Sequence, residues 1–268
     1  MTTAFTQISD PAQALCADPD SADLNGDVLG LLDRFGVAMV PGAFAADLNA
    51  LRAEFDAAFD AESDVPAELS ATGKNLSRRL GRTDTGRHLK LDRDADMAAL
   101  LPVAHAIFSS ERVAAVTRGY LGSPASPARH VILTEDYEPR EQILAEHFDE
   151  LNSLKFYVYL DEIDEDNAPF QAIPGTHLQG KQIRQAEWLR VDDYNSIKSR
   201  VFEQYSQEFF YSIFGMFKEL LLTRRVRFTA PAGTLLIFDT DLLHSAGRLG
   251  EGRRRRVMRA SSYRGLWL

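Results

Sequence analysis

A histidine and an aspartate two positions apart, His147 and Asp149, precede the apolar segment Leu154 to Leu160. Imidazole nitrogens and carboxylate oxygens are common protein ligands of divalent metals. Residues two apart in extended backbone point to the same face, so both side chains can reach one ion. The pair alone is weak evidence, because six histidines and many aspartates produce such a spacing by chance. A hydrogen-bonded surface pair is the alternative interpretation.

Several short motifs follow the pair in a fixed order, and their order is more specific than any one of them. They are Tyr157 to Glu162, Asp166 to Phe170, Ile173 to His177, Ala232 to Asp239 leading to His244, and an arginine run from Arg253. Near the start of the chain, Phe35 to Phe44 adds a short apolar strand and a Pro-Gly turn. With these motifs the chain resembles the phytanoyl-CoA dioxygenase family from about Asp27 to Tyr263.

The resemblance implies a double-stranded β-helix, which is a cupin-like jelly-roll barrel, mainly β with flanking helices. It implies iron(II) held by His147, Asp149 and His244, with the remaining positions open to 2-oxoglutarate and O2. The implied activity is that of an oxygenase that releases succinate and CO2 while it hydroxylates, desaturates or cyclises a small-molecule metabolite. Asp149 fills a position that related halogenases leave free for chloride. The alternative for His244 is a buried histidine of the core.

The resemblance also implies a cation for the far carboxylate of 2-oxoglutarate, and the planar fork of arginine suits this role. Arg255 lies eleven residues after His244, and Arg256 begins the last predicted strand. Adjacent residues on a strand face opposite ways, so only one of them can point inward, and we favour Arg256. By the same resemblance Tyr157, Lys90 and Ser245 are candidate co-substrate contacts.

Two motif positions are expected to be structural. The family resemblance implies that His177 is not a metal ligand, although its residue type would allow it. Ala168 stands where the family has glycine, so if the turn needs a positive φ we expect Asn167 to supply it.

Two other classes of function remain open at this stage. One is a cupin-like metal enzyme that does not use 2-oxoglutarate, and succinate release would distinguish it. The other is a non-catalytic jelly-roll binding module, for which a missing metal ligand would have been the signature.

The composition favours a soluble cytoplasmic protein. A net charge of -9 argues against nucleic acid and anionic membrane as partners. A single cysteine, Cys16, excludes an intrachain disulfide, and the chain lacks a long apolar segment and a signal peptide pattern. Basic residues lie at Lys198, Arg200, Arg224, Arg225 and Arg227 and weakly suggest an anionic substrate. The sequence predicts no oligomeric state.

The elements that must position these residues follow from periodicity. We predict helices from Asp27 to Phe35, Ala45 to Phe59, Met97 to Phe108, Ser110 to Tyr120 and Ile197 to Leu222. We predict strands at Val37 to Val40, Arg129 to Thr134, Leu154 to Leu160, Phe170 to Ile173, Arg227 to Thr229, Thr234 to Phe238 and Arg256 to Tyr263. Ala61 to Asp94 is interpreted mainly as loop.

Residues 1–26 are predicted to form a loosely packed polar leader, and residues 27–268 a single domain with a helical insert at about 181–226. The helical block Ile197 to Leu222 within this insert is a candidate substrate lid.

Overall fold

Twelve strands and six helices make up the part of the chain that this computed structural model describes, residues 11–61, 78–82, 86–92, 97–122, 125–126, 130–149, 153–188 and 223–264. The helices are α1 Leu24–Phe35, α2 Leu48–Ala61, α3 Ala98–Leu100, α4 Pro102–Phe108, α5 Glu111–Leu121 and α6 His177–Trp188. The strands are β1 Val37–Val40, β2 Arg78–Arg82, β3 Gly86–Asp92, β4 Ala125–Ser126, β5 His130–Asp136, β6 Leu144–His147, β7 Ser153–Tyr159, β8 Phe170–Ala172, β9 Val226–Phe228, β10 Leu235–Asp239, β11 His244–Ala246 and β12 Arg255–Arg264.

The strands form two antiparallel sheets. The larger has the order β1-β10-β7-β12-β5-β3-β2, with β4 paired to β12, and the smaller has the order β6-β11-β8-β9. Strands β5 to β12 pass from one sheet to the other so that each sheet receives four of them. This exchange of strands between two facing sheets is the arrangement of a double-stranded β-helix, and the expected jelly roll is confirmed.

The larger sheet has a hydrophobic layer on each face. In β7, Phe156 and Val158 point outward into a cluster shared with the helices, whereas Tyr157 and Tyr159 point inward between the sheets. The same alternation in β12 sends Val257 inward and Met258 outward. Since β7 is buried on both faces, its apolar and aromatic residues stand at consecutive positions rather than at alternating ones.

Helix α1 shows how local sequence sets the entry into the barrel. The Asp23 carboxylate accepts a hydrogen bond from the backbone N–H of Gly26 and caps the first turn. Gly36 ends the helix in the left-handed region at φ 75°. A Cβ at Gly36 would also lie 2.6 Å from the ring of His177, so two independent constraints require glycine there. β1 begins at the next residue, as predicted.

The interpretation of Ala61 to Asp94 as loop is wrong for part of its length. β2 and β3 pair with each other, and β3 extends the larger sheet through β5. In β3, Leu89 and Leu91 are buried against the helices while Lys90 is only partly buried between them. This period of two was present in the sequence, but it spans too few residues to stand out from the surrounding charged residues.

The start of the chain packs more closely than predicted. A single 3-10 turn, Gln13–Leu15, buries Leu15 in the inner core, and Cys16 forms a parallel bridge with Met39 of β1. The described residues of the predicted leader therefore contact the edge of the larger sheet.

Among the remaining helices, α2 and α5 lie within a few residues of the predictions, the predicted helix from Met97 to Phe108 is divided at Leu101 into α3 and α4, and α6 was not predicted. Ser110 caps α5 by accepting a hydrogen bond from Val113, and Gly122 ends it. The predicted block Ile197 to Leu222, and with it the lid hypothesis, lies outside the described residues. None of the described helices is both long and apolar enough to cross a membrane.

Candidate metal centre

Two strands of the smaller sheet bring the candidate ligands together. His147 is the last residue of β6 and lies directly opposite His244, the first residue of β11. Asp149 follows two residues after His147, and its backbone N–H donates to the carbonyl of Thr240 at 3.0 Å. The two histidines are thus fixed by strand register and the aspartate by a backbone hydrogen bond.

The three side chains converge on one point. Nε2 of His147 lies 3.8 Å from Oδ1 of Asp149, and Nε2 of His244 lies 3.6 Å from Oδ2. Because metal–ligand bonds to nitrogen and oxygen are about 2.1 Å long, two ligands of one ion are at most about 4.2 Å apart. The donor set and its spacing therefore fit a single divalent metal ion.

The surroundings of His244 leave one ring nitrogen available for a metal. Nδ1 lies 2.8 Å from the carbonyl of Leu242, which fixes Nδ1 as the protonated nitrogen of the neutral ring. Phe170 stacks on the ring with centroids 5.6 Å apart, and Phe238 packs against it. Burial, followed by the proximity of His147, lowers the pKa of His244 to about 3. His244 is therefore neutral at physiological pH, with Nε2 free to donate its lone pair.

Asp149 has a cationic neighbour, Lys155 of β7. The Lys155 ammonium lies 2.7 Å from Oδ2 of the carboxylate. Burial by itself would raise the pKa of Asp149, but its neighbours, of which the Lys155 ammonium has the largest effect, outweigh burial and lower the pKa to about 2. The carboxylate is thus held in the ionised form that a metal requires.

Tyr157, a predicted co-substrate contact, points inward beside this group. Its ring packs edge-on against Phe238 at 5.1 Å. Its hydroxyl bonds to Arg259, which lies opposite it on β12. Burial would raise the pKa of the Tyr157 phenol, yet the charges of Lys155 and Arg259 lower it overall. The hydroxyl therefore lies in an electropositive part of the barrel.

Arg256 does not lie where the sequence led us to expect it. It shares the outward face of β12 with Met258 and Ala260, whose side chains pack under the helices. Its guanidinium forms an ion pair of 2.7 Å with Asp161 and a second one, of 3.3 Å, with Asp56. The prediction that Arg256 points inward is wrong, because Arg256 alternates with Val257, which is the residue that faces the inner core.

Arg255 is the inward neighbour. Its Nε and Nη2 both donate to Oδ2 of Asp136, at 3.0 and 2.7 Å. Its Nη1 donates to the carbonyl of Ala168 at 2.8 Å. The side chain is buried and held at three points, so its position inside the barrel is fixed.

The other two predicted co-substrate contacts, Lys90 and Ser245, differ in orientation. Lys90 lies on the inward face of β3, opposite Ile132 of β5. Ser245 alternates with His244 along β11, so it points away from the metal centre, and its hydroxyl lies 3.4 Å from Oε1 of Gln171. The expected role of Ser245 as a co-substrate contact does not fit this orientation.

Two motif residues have structural surroundings. Nε2 of His177 lies 3.2 Å from the carbonyl of Asp33, and its ring packs on Gly36, as expected for a residue that is not a ligand. The positive φ of the Asn167 turn belongs to Ala168, at 49°, and not to Asn167 as predicted. Ala168 adopts this conformation while its backbone bonds to Arg255 and to Arg248.

Sequence reasoning missed two cations near the triad, Lys155 and Arg259. Strand alternation could have identified Lys155, whereas the predicted inward orientation of Arg256 would have placed Arg259 on the outer face. Lys155 lies two residues before Tyr157, and Arg259 lies four after Arg255, so each shares the inward face of its strand.

Comparison with known proteins gives one family and a consistent fold. The family model described as phytanoyl-CoA dioxygenase matches residues 32–257. No curated protein sequence gives a significant match.

Solved structures of similar fold include EctD from S. alaskensis in its apoform, at 19% identity over 92% of this chain and 78% of that one, with a TM-score of 0.57. The epimerase SnoN in complex with Fe3+, alpha ketoglutarate and nogalamycin RO is 18% identical over 91% and 87%, with a TM-score of 0.56. HygX from Streptomyces hygroscopicus with nickel, 2-oxoglutarate and hygromycin B is 13% identical over 89% and 86%, with a TM-score of 0.54. At these identities the likeness is evidence of fold.

Proposed function

The chain belongs to the phytanoyl-CoA dioxygenase family, and from this we propose that it oxidises a small-molecule metabolite, most simply by hydroxylation. It is a 2-oxoglutarate-dependent, non-haem iron oxygenase. The observation that supports the proposal best is the convergence of two imidazoles and one carboxylate inside the barrel. Neighbours of the same fold are described with nogalamycin RO and hygromycin B, which supports a substrate from secondary metabolism.

In this proposal His147, Asp149 and His244 would hold iron(II). When bound, the metal and 2-oxoglutarate supply oxidation by O2, with release of succinate and CO2. His244 contributes a neutral nitrogen, because its other nitrogen is fixed by Leu242. Asp149 contributes the one negative charge, and Lys155 keeps its carboxylate ionised and oriented.

We assign the far carboxylate of 2-oxoglutarate to Arg255. It is the arginine at the position that the family resemblance implies, eleven residues after His244, and it points into the barrel. Asp136 and Ala168 hold its guanidinium in place. Binding of the carboxylate therefore requires little further ordering of the Arg255 side chain. Tyr157 is proposed to contact the co-substrate between Arg255 and the metal.

Aromatic side chains from three strands shield the His244 side of the centre from water. Phe170 and Phe238 cover the ring of His244, and Phe228 packs behind Phe170 at 5.6 Å. A dry site strengthens the electrostatic interactions within it and protects reactive intermediates from side reactions.

Anaerobic titration tests this function directly. Addition of iron(II) and 2-oxoglutarate should give a weak visible charge-transfer band, and exposure to O2 should then release succinate. A protein that binds iron but gives neither the band nor succinate would overturn the assignment in favour of a jelly-roll metal protein that does not use 2-oxoglutarate.

A further inference from the structure

A row of side chains crosses the inner face of the larger sheet beside the metal centre. Cα pairing aligns Lys90 with Ile132, Ile132 with Arg259, and Arg259 with Tyr157. Neighbouring strands lie about 4.8 Å apart, so Lys90 and Arg259 are about 10 Å apart at their backbones, and both side chains are long enough to approach one group. The row therefore brings two cations to the same inner surface.

The cations nearby differ in whether a carboxylate neutralises them. Arg255 pairs with Asp136, Arg256 with Asp161, and Lys155 with Asp149. Arg259 instead lies beside the Tyr157 hydroxyl, with its guanidinium carbon 5.9 Å from the centroid of that ring.

In the described part of the chain, neither Arg259 nor Lys90 pairs with an Asp or Glu. The Arg259 Nε is buried and has no hydrogen-bond partner there. Arg259 as a whole is partly buried, and a charged group partly removed from water without a counter-charge favours an anion beside it.

With iron(II) and 2-oxoglutarate bound, the site would still have an excess of positive charge. Iron(II), ionised Asp149 and doubly charged 2-oxoglutarate together carry one net negative charge, and Lys155 offsets it. Arg255 is already offset by Asp136. The positive charge of Arg259 remains, and Lys90 adds to it.

We propose that Arg259, assisted by Lys90, binds an acidic group of the primary substrate, so that the substrates are organic anions carrying a carboxylate or phosphate. This inference rests on the proposed function and narrows its substrate class. Arginine presents two parallel N–H donors that match either oxyanion. Neutral His88, whose pKa is lowered by burial and by Arg259, adds a polar but uncharged wall.

The position of Arg259 relative to the metal suits a substrate anchor. Ser261, two residues further along β12, pairs with Lys155, which contacts the metal ligand Asp149. Two residues of strand span about 7 Å, so an acidic group held by Arg259 leaves carbons a few bonds away close to the metal.

The basic residues from Arg224 to Arg227, which suggested an anionic substrate from sequence alone, support it less well. Arg225 pairs with Glu146 and Arg227 with Glu165. The inner row is therefore a better candidate than these residues for binding an anionic substrate.

The test uses the protein loaded with iron(II) and saturating 2-oxoglutarate under anaerobic conditions. Calorimetric titration compares matched probes, 3-phenylpropionate against 3-phenylpropanamide and phenyl phosphate against phenol. We expect at least one acid to bind about tenfold or more tightly than its neutral partner, as one charge-assisted contact requires. In R259Q this preference should fall to within about twofold, and R259K should retain part of it. R227Q, which removes an exposed and paired arginine, is the matched control.

The charge-transfer band of the same samples distinguishes a failure of the anionic-substrate inference from a failure of the proposed function. R259Q should bind 2-oxoglutarate within about twofold of the wild-type affinity, because Arg255 remains. Loss of 2-oxoglutarate affinity in R259Q would make Arg259 the co-substrate cation and overturn the inference. A normal band with no preference for acids, or a preference that survives in R259Q, would overturn it as well. Absence of the band in the wild type would instead contradict the proposed function.

Discussion

Lys155 and Asp149 form an ion pair of 2.7 Å inside the barrel, and the same carboxylate lies 3.6 Å from Nε2 of His244. A lysine therefore contacts one oxygen of the carboxylate that completes the candidate metal site. The pair spans from the end of β6 to the start of β7, so it also links the smaller sheet to the larger.

The first prediction concerns the pH dependence of this pair in the metal-free protein. The pKa of Asp149 in the folded protein, about 2, lies below its ordinary value of 3.8. Its stabilising contribution is therefore present above pH 4 and is lost as the pH falls toward 2. K155M should lower the free energy of unfolding by about 2 kcal/mol at pH 7, and the penalty should shrink between about pH 4 and pH 2.

Urea denaturation at several pH values measures this penalty, and K155R, which keeps the charge, should restore most of the stability. A K155M penalty that stays constant down to the acid limit of the folded protein would show that packing, not charge, is responsible.

The second prediction concerns the three proposed ligands. H147A, D149A and H244A should each abolish the charge-transfer band with iron(II) and 2-oxoglutarate, because loss of one of three ligands removes the facial arrangement. His177, a buried histidine bonded to Asp33, provides the control. H177Q is expected to keep the band in whatever fraction of the protein remains folded. A band of full strength in the H244A protein would remove His244 from the metal site.

The third prediction reverses the order that the sequence suggested for the two neighbouring arginines. R255M should raise the KM for 2-oxoglutarate at least tenfold, since a charge-assisted bidentate contact contributes roughly 1.5–3 kcal/mol. R256M should leave that KM almost unchanged and act on stability, because it breaks the outward pair with Asp161. Steady-state kinetics and thermal melting of both variants decide this. A raised KM in R256M alone would contradict the orientation of β12.

The register of β12 shows why sequence could reach the right strand and still select the wrong residue. The apolar pattern indicated its central part, where Met258 and Ala260 face one side and Val257 the other. Its start lies in a run of four arginines, Arg253 to Arg256, which carries no periodicity. A shift of one residue exchanges the two faces, and in the folded protein Arg255 shares the inward face with Val257 and pairs with Asp136, whereas Arg256 pairs with Asp161.

Other parts of the site followed more directly from the sequence. The motif order was enough to identify the triad, because a His-x-Asp pair and a distant histidine acquire meaning only together. Long-range charge pairing was not accessible in the same way. Nothing in the local sequence around Lys155 indicates that it contacts Asp149, since that contact depends on how two strands of different sheets meet. The positive φ of Ala168 was also missed, because asparagine is ordinarily the better residue for that conformation.

The last prediction concerns a buried network outside the metal centre, formed by Asp239, Tyr120 and Lys181. Asp239 ends β10 and is fully buried. Its Oδ2 accepts a hydrogen bond of 2.6 Å from the Tyr120 hydroxyl, and the Lys181 ammonium lies 2.8 Å from the same oxygen. Lys181 also donates to the Tyr120 hydroxyl at 2.9 Å. The network thus joins α5 and α6 to the strand that precedes His244.

Loss of either partner should destabilise the protein, because it leaves a buried carboxylate with fewer bonds. We expect Y120F and K181M each to lower the free energy of unfolding by about 1–3 kcal/mol, which corresponds to a Tm lower by several degrees. Burial and the neighbouring Asp239 raise the pKa of Tyr120, so the phenol stays protonated and the penalty should not change between pH 6 and pH 9. R118Q removes an ion pair with Glu111 on the exposed face of α5. It should change the Tm by less than either Y120F or K181M does. Equal, negligible shifts in all three variants would show that the network adds nothing to the packing of the helices on β10.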